Sequence, residues 1–489
     1  MKRSLTILLI ATMLLSSSCQ SGEVETKDEE NTTAEIIETE SETETEALRS
    51  SLPDLNWEGR IFTVLGMENT THPQFTNFEI YAENQNGEVL NDAVFHRNSL
   101  IEEKYNVKIM QYLVSEPDTE LTRATTAGEQ SYDVSFQGIP TINKLVSGGY
   151  FLDLYSQPYL DFVQTWWDQD ANDSLSIGGK LYTTTSDFNL RDKNRVYILT
   201  YNNDLAKNYQ LGDAVQLVRD GKWTLDIMTQ WCEAFATDLD GDGKMTLSDY
   251  YGMGMDSYNA FAAFYFAADN NIVNKDSDGK FILQMNTERT VETIDKILKL
   301  TDPQISFYCN DVMGQSDDFW YSFYHKFRDE QQLFFPTFPH MLADASAECE
   351  FIYTIIPMPK FDETQEKYLT IVDYYGGLLF GIPTIAPAPD FSAFMLEALS
   401  YASNDTTLTA YYETTCKYKY SYNEDSSEML DLIFDGIVYD YGYFNNIGGL
   451  TSIINADIPK KKQNNFTSLY QKRELKALSA LEEIEALGN

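Results

Sequence analysis

The sequence predicts an α/β protein built as two doubly wound lobes, on three grounds. Strand-like and helix-like stretches alternate from Gly59 onward, as they do when helices cover a parallel sheet. About 435 of the 489 residues lie beyond an acidic leading segment, enough chain for two domains with good cores. No period of a repeat protein emerges, so strand crossovers between two lobes are the simplest use of that length.

The chain opens with Lys2 and Arg3, runs through an apolar stretch over 5–15, and continues Ser16, Ser17, Ser18, Cys19. That is the layout of a secretory signal, too short for a membrane span. Small residues directly before a cysteine resemble the lipobox of bacterial lipoproteins, in which the cysteine is acylated and becomes the mature N-terminus. Ser16 stands where that pattern usually has Leu, with Leu15 one position further back. Residues 1–19 are therefore expected to be a signal peptide, with Cys19 as the lipidation site. Residues 20–52 are rich in Glu and Thr, with Glu38, Glu40, Glu42, Glu44 and Glu46 alternating with Thr or Ser. Such a run buries too little apolar surface to offset its ordering entropy, and it reads as a disordered, self-repelling tether. No later apolar run reaches spanning length, so the chain is expected at the extracytoplasmic face of the membrane, held by its lipid alone.

Beyond the tether, residues 59–66, with Ile61, Phe62, Val64 and Leu65, predict a buried first strand. Asn91 is a good N-cap for a helix that places Val94, Ile101 and Tyr105 on one face. A second strand is expected over 107–113 and a third over 132–136, ending in Gln137, Gly138 and Pro140. Ligands of doubly wound sheets sit beyond the carboxyl ends of the strands, and Gln137 occupies such an end. Downstream, strands are expected at 195–201, 351–356 and 380–383, with a helix-rich middle over 228–301 and helices from 391 onward.

The net charge is −41, from 35 basic and 76 acidic residues, which argues against nucleic acid and anionic lipid surfaces as partners. Cys232, Cys309, Cys349 and Cys416 are widely spaced, without a CxxC pair, and are expected as buried free thiols. His72, His96, His325 and His340 show neither metal spacing nor a nucleophile context. No Walker or dinucleotide loop is present, so this chain does not itself hydrolyse ATP, and no sequence pattern selects a glycosidase carboxylate pair. A binding protein, not an enzyme, is expected.

The sharpest local motif runs Asp238, Leu239, Asp240, Gly241, Asp242, Gly243, Lys244, Met245, Thr246, Leu247, Ser248, Asp249. Acidic side chains at positions 1, 3 and 5, Gly at 6, a carbonyl at 7 (Lys244) and an oxygen at 9 (Thr246) are what a calcium loop needs. Asp249 fills position 12, where a longer Glu is usual. A structural Ca2+ is the expected cofactor. Aromatic residues make up 13% of the chain and cluster at Trp166–Trp167, Phe319–Trp320–Tyr321 and Tyr374–Tyr375. Flat sugar faces pack on such rings while polar groups meet the hydroxyls, which points to a carbohydrate ligand.

Longer stretches resemble the extracellular solute-binding proteins, family 1, of ABC importers, in the form common among clostridia-like Gram-positive bacteria. They include GEVLNDAVFHRNSLIEEKYNVKI from Gly87, WWDQDANDSLSIGGKLY from Trp166, YNNDL from Tyr201, GKWTLDIM from Gly221, the DLDGDGK loop, IPMPKFDETQEKY from Ile356, LEALSYAS from Leu396 and SSEMLDLIF from Ser426. The resemblance implies a fold of the type II periplasmic-binding-protein kind, two α/β lobes closing about a hinge. It implies a monomer that delivers a small molecule to ABC permease subunits. By it, the first lobe comprises 53–190 with 350–400 and the second 191–349 with 401–489. The chain would cross near 187–201, return near Glu350 and leave again near Tyr401. Trp166, Trp167 and Asp168 would then lie near the cleft, Asp187 at the first crossing, and Tyr374 and Tyr375 close to the hinge. Gln137 and Trp320 complete the ligand-binding candidates. The sequence departs from the family at Glu330, where F-x-x-G-x-x-L-F has Gly, and at Tyr422 and Asn423, where an Arg-Asp pair is frequent. A surface glycan-active enzyme, a sensing or adhesive lipoprotein and a peptide receptor of the same fold remain alternatives at this point.

Overall fold

The computed structural model describes residues 52–413 and 425–488; Cys19, the tether, Cys416, Tyr422 and Asn423 lie outside the described residues. In chain order the strands are β1 (Arg60–Met67), β2 (Val107–Val114), β3 (Val134–Gly138), β4 (Ile198–Asn202), β5 (Tyr251–Met255), β6 (Val273–Lys275), β7 (Phe281–Leu283), β8 (Ser306–Tyr308), β9 (Gln332–Thr337), β10 (Tyr353–Ile356), β11 (Thr370–Ile371), β12 (Leu378–Gly381) and β13 (Ile437–Val438). They form two principal sheets, ordered β12-β3-β1-β2 and β10-β4-β9-β5-β8.

β1 is central because its Phe62, Val64 and Leu65 are apolar and wholly buried, so it needs cover on both faces. It runs parallel to β2 along its full length and parallel to β3, while β12 closes the edge antiparallel to β3. The helix after β1 spans Val89–Tyr105 and is capped by Glu88, whose carboxylate accepts from Asn91 N at 2.7 Å. Asn91 is thus inside the helix. The cap falls three residues earlier than expected because Asp92 secures the preceding turn by accepting from the Asn86 and Gly87 amides.

In the second sheet β5 runs parallel to β9 and β8, whereas β4 is antiparallel to both β9 and β10. The strand expected to return the chain to the first lobe near Glu350 is β10, and it pairs with β4 instead. The first sheet is re-entered only at Leu378, the start of β12. Helix Pro389–Ser403 then packs on helix Val89–Tyr105, and helix Asp425–Phe434 packs on β10. The last long helix, Phe466–Glu485, lies against β7, yet the Leu487 carbonyl just beyond it accepts from Tyr182 Oη at 2.9 Å, beside the first sheet. Cys232, Cys309 and Cys349 are free thiols, the first two buried. Among the described residues no helix is long and apolar enough to cross a membrane.

One buried acid organises the first lobe. Glu397 is fully buried on helix Pro389–Ser403 and accepts from Trp166 Nε1 (3.1 Å), Trp167 Nε1 (2.9 Å) and Asp161 N (3.2 Å). Removing that acceptor strands three donors in an apolar interior. Glu397→Ala is expected to cost about 3 kcal/mol or more in urea unfolding, and Glu397→Gln, which keeps one acceptor, distinctly less. Equal stability of the two variants would contradict this account.

Candidate functional site

Parallel strands place their carboxyl ends together, and here both sheets do so along one seam. In the first sheet β1 ends at Met67 and β3 at Gly138, with Leu378 at the start of β12 opposite Gly138. In the second, β5, β8 and β9 end at Met255, Tyr308 and Thr337, and Ile198 at the start of β4 lies opposite Thr337. The segments joining the sheets, 189–197 and 372–377, therefore run from one set of strand ends to the other. They meet as an antiparallel bridge at Val196 and Val372, reinforced by Asp373 N donating to the Arg195 carbonyl at 2.7 Å.

The loop after β1 reaches these crossings. Arg195 lays its guanidinium over Phe75, 4.1 Å from the ring centroid. Arg191 donates to the Gln74 carbonyl at 2.7 Å and to the Gly376 carbonyl at 3.0 Å. Position 376 has no room for a side chain, since a Cβ would sit 2.6 Å from Asp373 Oδ2 and 2.8 Å from Arg195 Cδ. Tyr197 packs its ring on Phe338, centroids 4.5 Å apart. The Tyr197 hydroxyl and Arg195 Nε are buried and have no hydrogen-bond partner among the described residues. Asp256, just beyond β5, is pushed up to about 7 by burial and by the like charge of Asp373. Burial also raises Asp373, against the pull of Arg195. These five residues, Phe75, Arg195, Tyr197, Asp256 and Asp373, are the seam's chemistry, and no local sequence pattern flags them. Only their positions, in a crossing or just past a strand, could have.

The expected site residues separate into two groups. Tyr374 and Tyr375 sit on the second crossing, ring centroids 5.0 Å apart, with Tyr375 61% exposed. Trp320 lies past the end of β8 and is 48% exposed, its ring tilted against Phe319 with centroids 4.5 Å apart. Tyr375 and Trp320 offer open faces, whereas Tyr374 is half-buried with its ring set against those of Tyr375 and Tyr443. Gln137 is at the end of β3, but its side chain is buried and its amide donates to Ser135 Oγ at 2.7 Å. Trp166 and Trp167 are 1% and 2% exposed, with both indoles fixed on Glu397, so they fill the first lobe's interior and present no face to a ligand. A tryptophan pair beside polar residues looks the same in sequence whether its N–H groups meet a ligand or a buried acid. Asp168 caps helix Gln169–Leu175 by accepting from Ala171 N at 2.8 Å. Asp187 is buried, accepting from Asn404 Nδ2 at 2.8 Å, with Lys193 Nζ at 3.8 Å. Both acids are engaged in holding chain segments.

Away from the seam, Asp238, Asp240 and Asp242 bring one carboxylate oxygen each to within 4.8 Å of one another. Asp238 accepts from the Gly241 and Gly243 amides, and both glycines adopt positive φ (71° and 80°), the turn that sets the loop. Lys244 N donates to Asp242 Oδ1 at 2.7 Å. Asp249 is buried and accepts from Leu239 N and from Thr246 N and Oγ1, clasping the loop's two ends.

No family model matches the chain, and no curated protein sequence matches it. Solved structures do. A cyclo/maltodextrin-binding protein complexed with maltotetraose superposes with a TM-score of 0.56 at 15% identity, over 87% of this chain and 97% of that one. The sugar-binding protein MalE from the phytopathogen Xanthomonas citri gives 0.56 at 13% identity, over 88% and 97%. UgpB from Mycobacterium tuberculosis, in complex with glycerophosphocholine, gives 0.54 at 13% identity, over 87% and 98%. At such identities the likeness establishes the fold: a two-lobed α/β binding-protein architecture of the periplasmic type.

The seam and the interior hold an unusual store of acids that favour their protonated form. Burial pushes Asp133, Asp168 and Asp440 up to about 6 and Asp256 and Glu397 up to about 7, from ordinary values of 3.8 for Asp and 4.5 for Glu. Between about pH 4.5 and 7 the folded chain thus binds more protons than the unfolded one, so stability falls as pH rises through that window. Self-repulsion of a chain carrying −41 acts in the same direction. The melting temperature is expected to be higher at pH 5.5 than at pH 7.5; calorimetry showing the reverse would refute the assignment.

Proposed function

We propose that the chain is the extracytoplasmic solute-binding lipoprotein of an ABC importer, anchored through Cys19, that captures a mono- or oligosaccharide and delivers it intact to permease subunits. The observation that carries this reading is the seam. Two sheets point the carboxyl ends of their strands at one another across two crossing segments, with open aromatic rings and unpartnered buried polar atoms between them. The sugar-binding proteins of the same architecture support carbohydrate as the ligand class. In this reading 53–190 with 350–400 and 191–349 with 401–489 describe the lobes, amended so that β10 belongs with the second. The crossings form the hinge. Tyr374, Tyr375 and Trp320 stack on sugar faces, while Asp256, Arg195 and Tyr197 meet hydroxyl groups.

Binding needs no bond to form or break. The ligand touches both lobes only in the closed form and stabilises that form by its differential affinity for it. The affinity is expected to shift the melting curve as mass action requires. Among a panel of maltose, maltotetraose, cellotetraose, glycerol phosphodiesters and short peptides, a saccharide is expected to raise the melting temperature in proportion to the logarithm of its concentration. Tyr375→Ala is expected to weaken that saccharide by about tenfold, a loss of stacking area. A shift with peptides alone would overturn the carbohydrate assignment.

The Asp238 loop fits a structural Ca2+. Asp238, Asp240 and Asp242 supply hard carboxylate oxygens, the Lys244 carbonyl and Thr246 continue the set, and Asp249 fixes the loop ends. A bound cation would relieve the repulsion of the three clustered carboxylates. Chelator is expected to lower the melting temperature and calcium to restore it, an effect that Asp240→Asn together with Asp242→Asn removes. A melting curve indifferent to chelator would exclude the ion.

A further inference from the structure

Trp320 keeps a face open, yet the stretch that carries it is thinly held. From Met313 to Tyr321 no side chain is buried: Phe319 is half-buried, and Met313, Trp320 and Tyr321 are 60%, 48% and 41% exposed. Inside the stretch the hydrogen bonds are local. Gln315 N donates to the Val312 carbonyl at 2.9 Å and Tyr321 N to the Asp318 carbonyl at 3.1 Å. Such turns fix a segment's own shape and leave its attitude to the rest of the protein open.

That attitude is set from outside, by the acidic loop 238–249. Leu247 N donates to Gln315 Oε1 at 3.0 Å, a bond between residues 68 apart in the chain. The other polar links out of the stretch reach only its flanks: Cys309 Sγ points at the Trp320 carbonyl, 3.6 Å away, and His325 Nε2 lies 3.9 Å from Asp318. The donor is itself rigidly placed. Asp249 accepts from Thr246 N at 2.7 Å, from Thr246 Oγ1 at 3.0 Å and from Leu239 N at 2.9 Å, so the backbone on either side of Leu247 is clasped. Lys326, 4% exposed on helix Ser322–Arg328, donates to the Asp249 carbonyl at 2.7 Å and to Gln331 Oε1 at 2.6 Å. One loop thus grips the chain on both sides of the indole, at Gln315 before it and at Lys326 after it.

We infer that loop 238–249 is the seat of the Trp320 segment and that Gln315 is a positioning residue, holding the indole where a ligand ring can stack on it. The inference rests on the reading of Trp320 as a stacking ring. It is independent of a cation in the loop, because the bond to Gln315 comes from a backbone amide and not from a carboxylate. A ring that swings freely gives up its freedom when a ligand arrives, whereas a seated ring has given it up beforehand, so the seat contributes affinity by preorganisation.

Gln315→Met keeps the length of the side chain and removes the acceptor at an exposed position, where the fold tolerates the change. The Trp320 signal is the fluorescence difference between each protein and its Trp320→Phe counterpart. In Gln315→Met, amide exchange over 313–321 is expected to accelerate roughly fivefold and acrylamide quenching of the Trp320 signal to rise about twofold, as loss of one hydrogen bond at a local opening allows, with exchange in β5 and β9 unchanged. Unchanged exchange and quenching, or acceleration shared equally by β5 and β9, overturns the inference. Titration with maltotetraose tests the reading beneath it. Weaker binding to Trp320→Phe, and binding to Gln315→Met weakened by about threefold, is expected. A loss in Trp320→Phe without one in Gln315→Met overturns the positioning role. Maltotetraose binding that Trp320→Phe does not weaken, or no binding at all, overturns the stacking role of Trp320, and amide exchange then judges the seat by itself.

Discussion

The arrangement depends on how two extended segments are held where they pass each other between the sheets. Segment 189–197 and segment 372–377 share a backbone bridge at Val196 and Val372, and Arg191, Arg195 and Asp373 are buried on them. Two guanidinium groups in such a place would be prohibitive without partners. Each is therefore answered: Arg191 by the Gln74 and Gly376 carbonyls, Arg195 by the Phe75 face and the Asp373 carboxylate nearby. Because Gln74 and Phe75 belong to the loop after β1, this network ties the first strand of the first sheet to the entry of the second. It also explains why position 376 is glycine, for any Cβ there would displace Asp373 and Arg195 at once.

The high aromatic content serves two purposes that the composition alone did not separate. Most rings build interiors. Trp166 and Trp167 hang on Glu397, Trp223 and Trp231 lie 5.6 Å apart in the second lobe, and Phe334 packs against both of those indoles. A minority, Tyr375 on a crossing and Trp320 past β8, keep a face open, with Tyr374 half-buried beside Tyr375. Burial divides the two sets.

The alternation of strands and helices was legible, because the apolar runs of β1 and β3 are buried and β2 alternates buried Val107 and Ile109 with exposed Lys108 and Met110, each a plain strand pattern. The calcium-type loop was legible too, since its spacing is local. The assignment of β10 to the second sheet was not, as a four-residue apolar strand carries no mark of its neighbour in space. Nor was Asp256. A carboxylate acquires its meaning there from Asp373 and Arg195, more than fifty residues away in either direction, and nothing in the adjacent residues records that encounter.

The helix Phe466–Glu485 acts as a strut. Its shaft rests on β7, while the Leu487 carbonyl beyond its tip is gripped by Tyr182 and the Cα of Gly488 would lie 2.7 Å from a Cβ on Gly178. Any shift of this helix relative to the first sheet must drag that tip across the turn at Gly178 or pull it free. The work of doing so is the same whatever fills the seam. Substitutions at this remote fulcrum could therefore retune how tightly a guest is held without altering a single group that touches it.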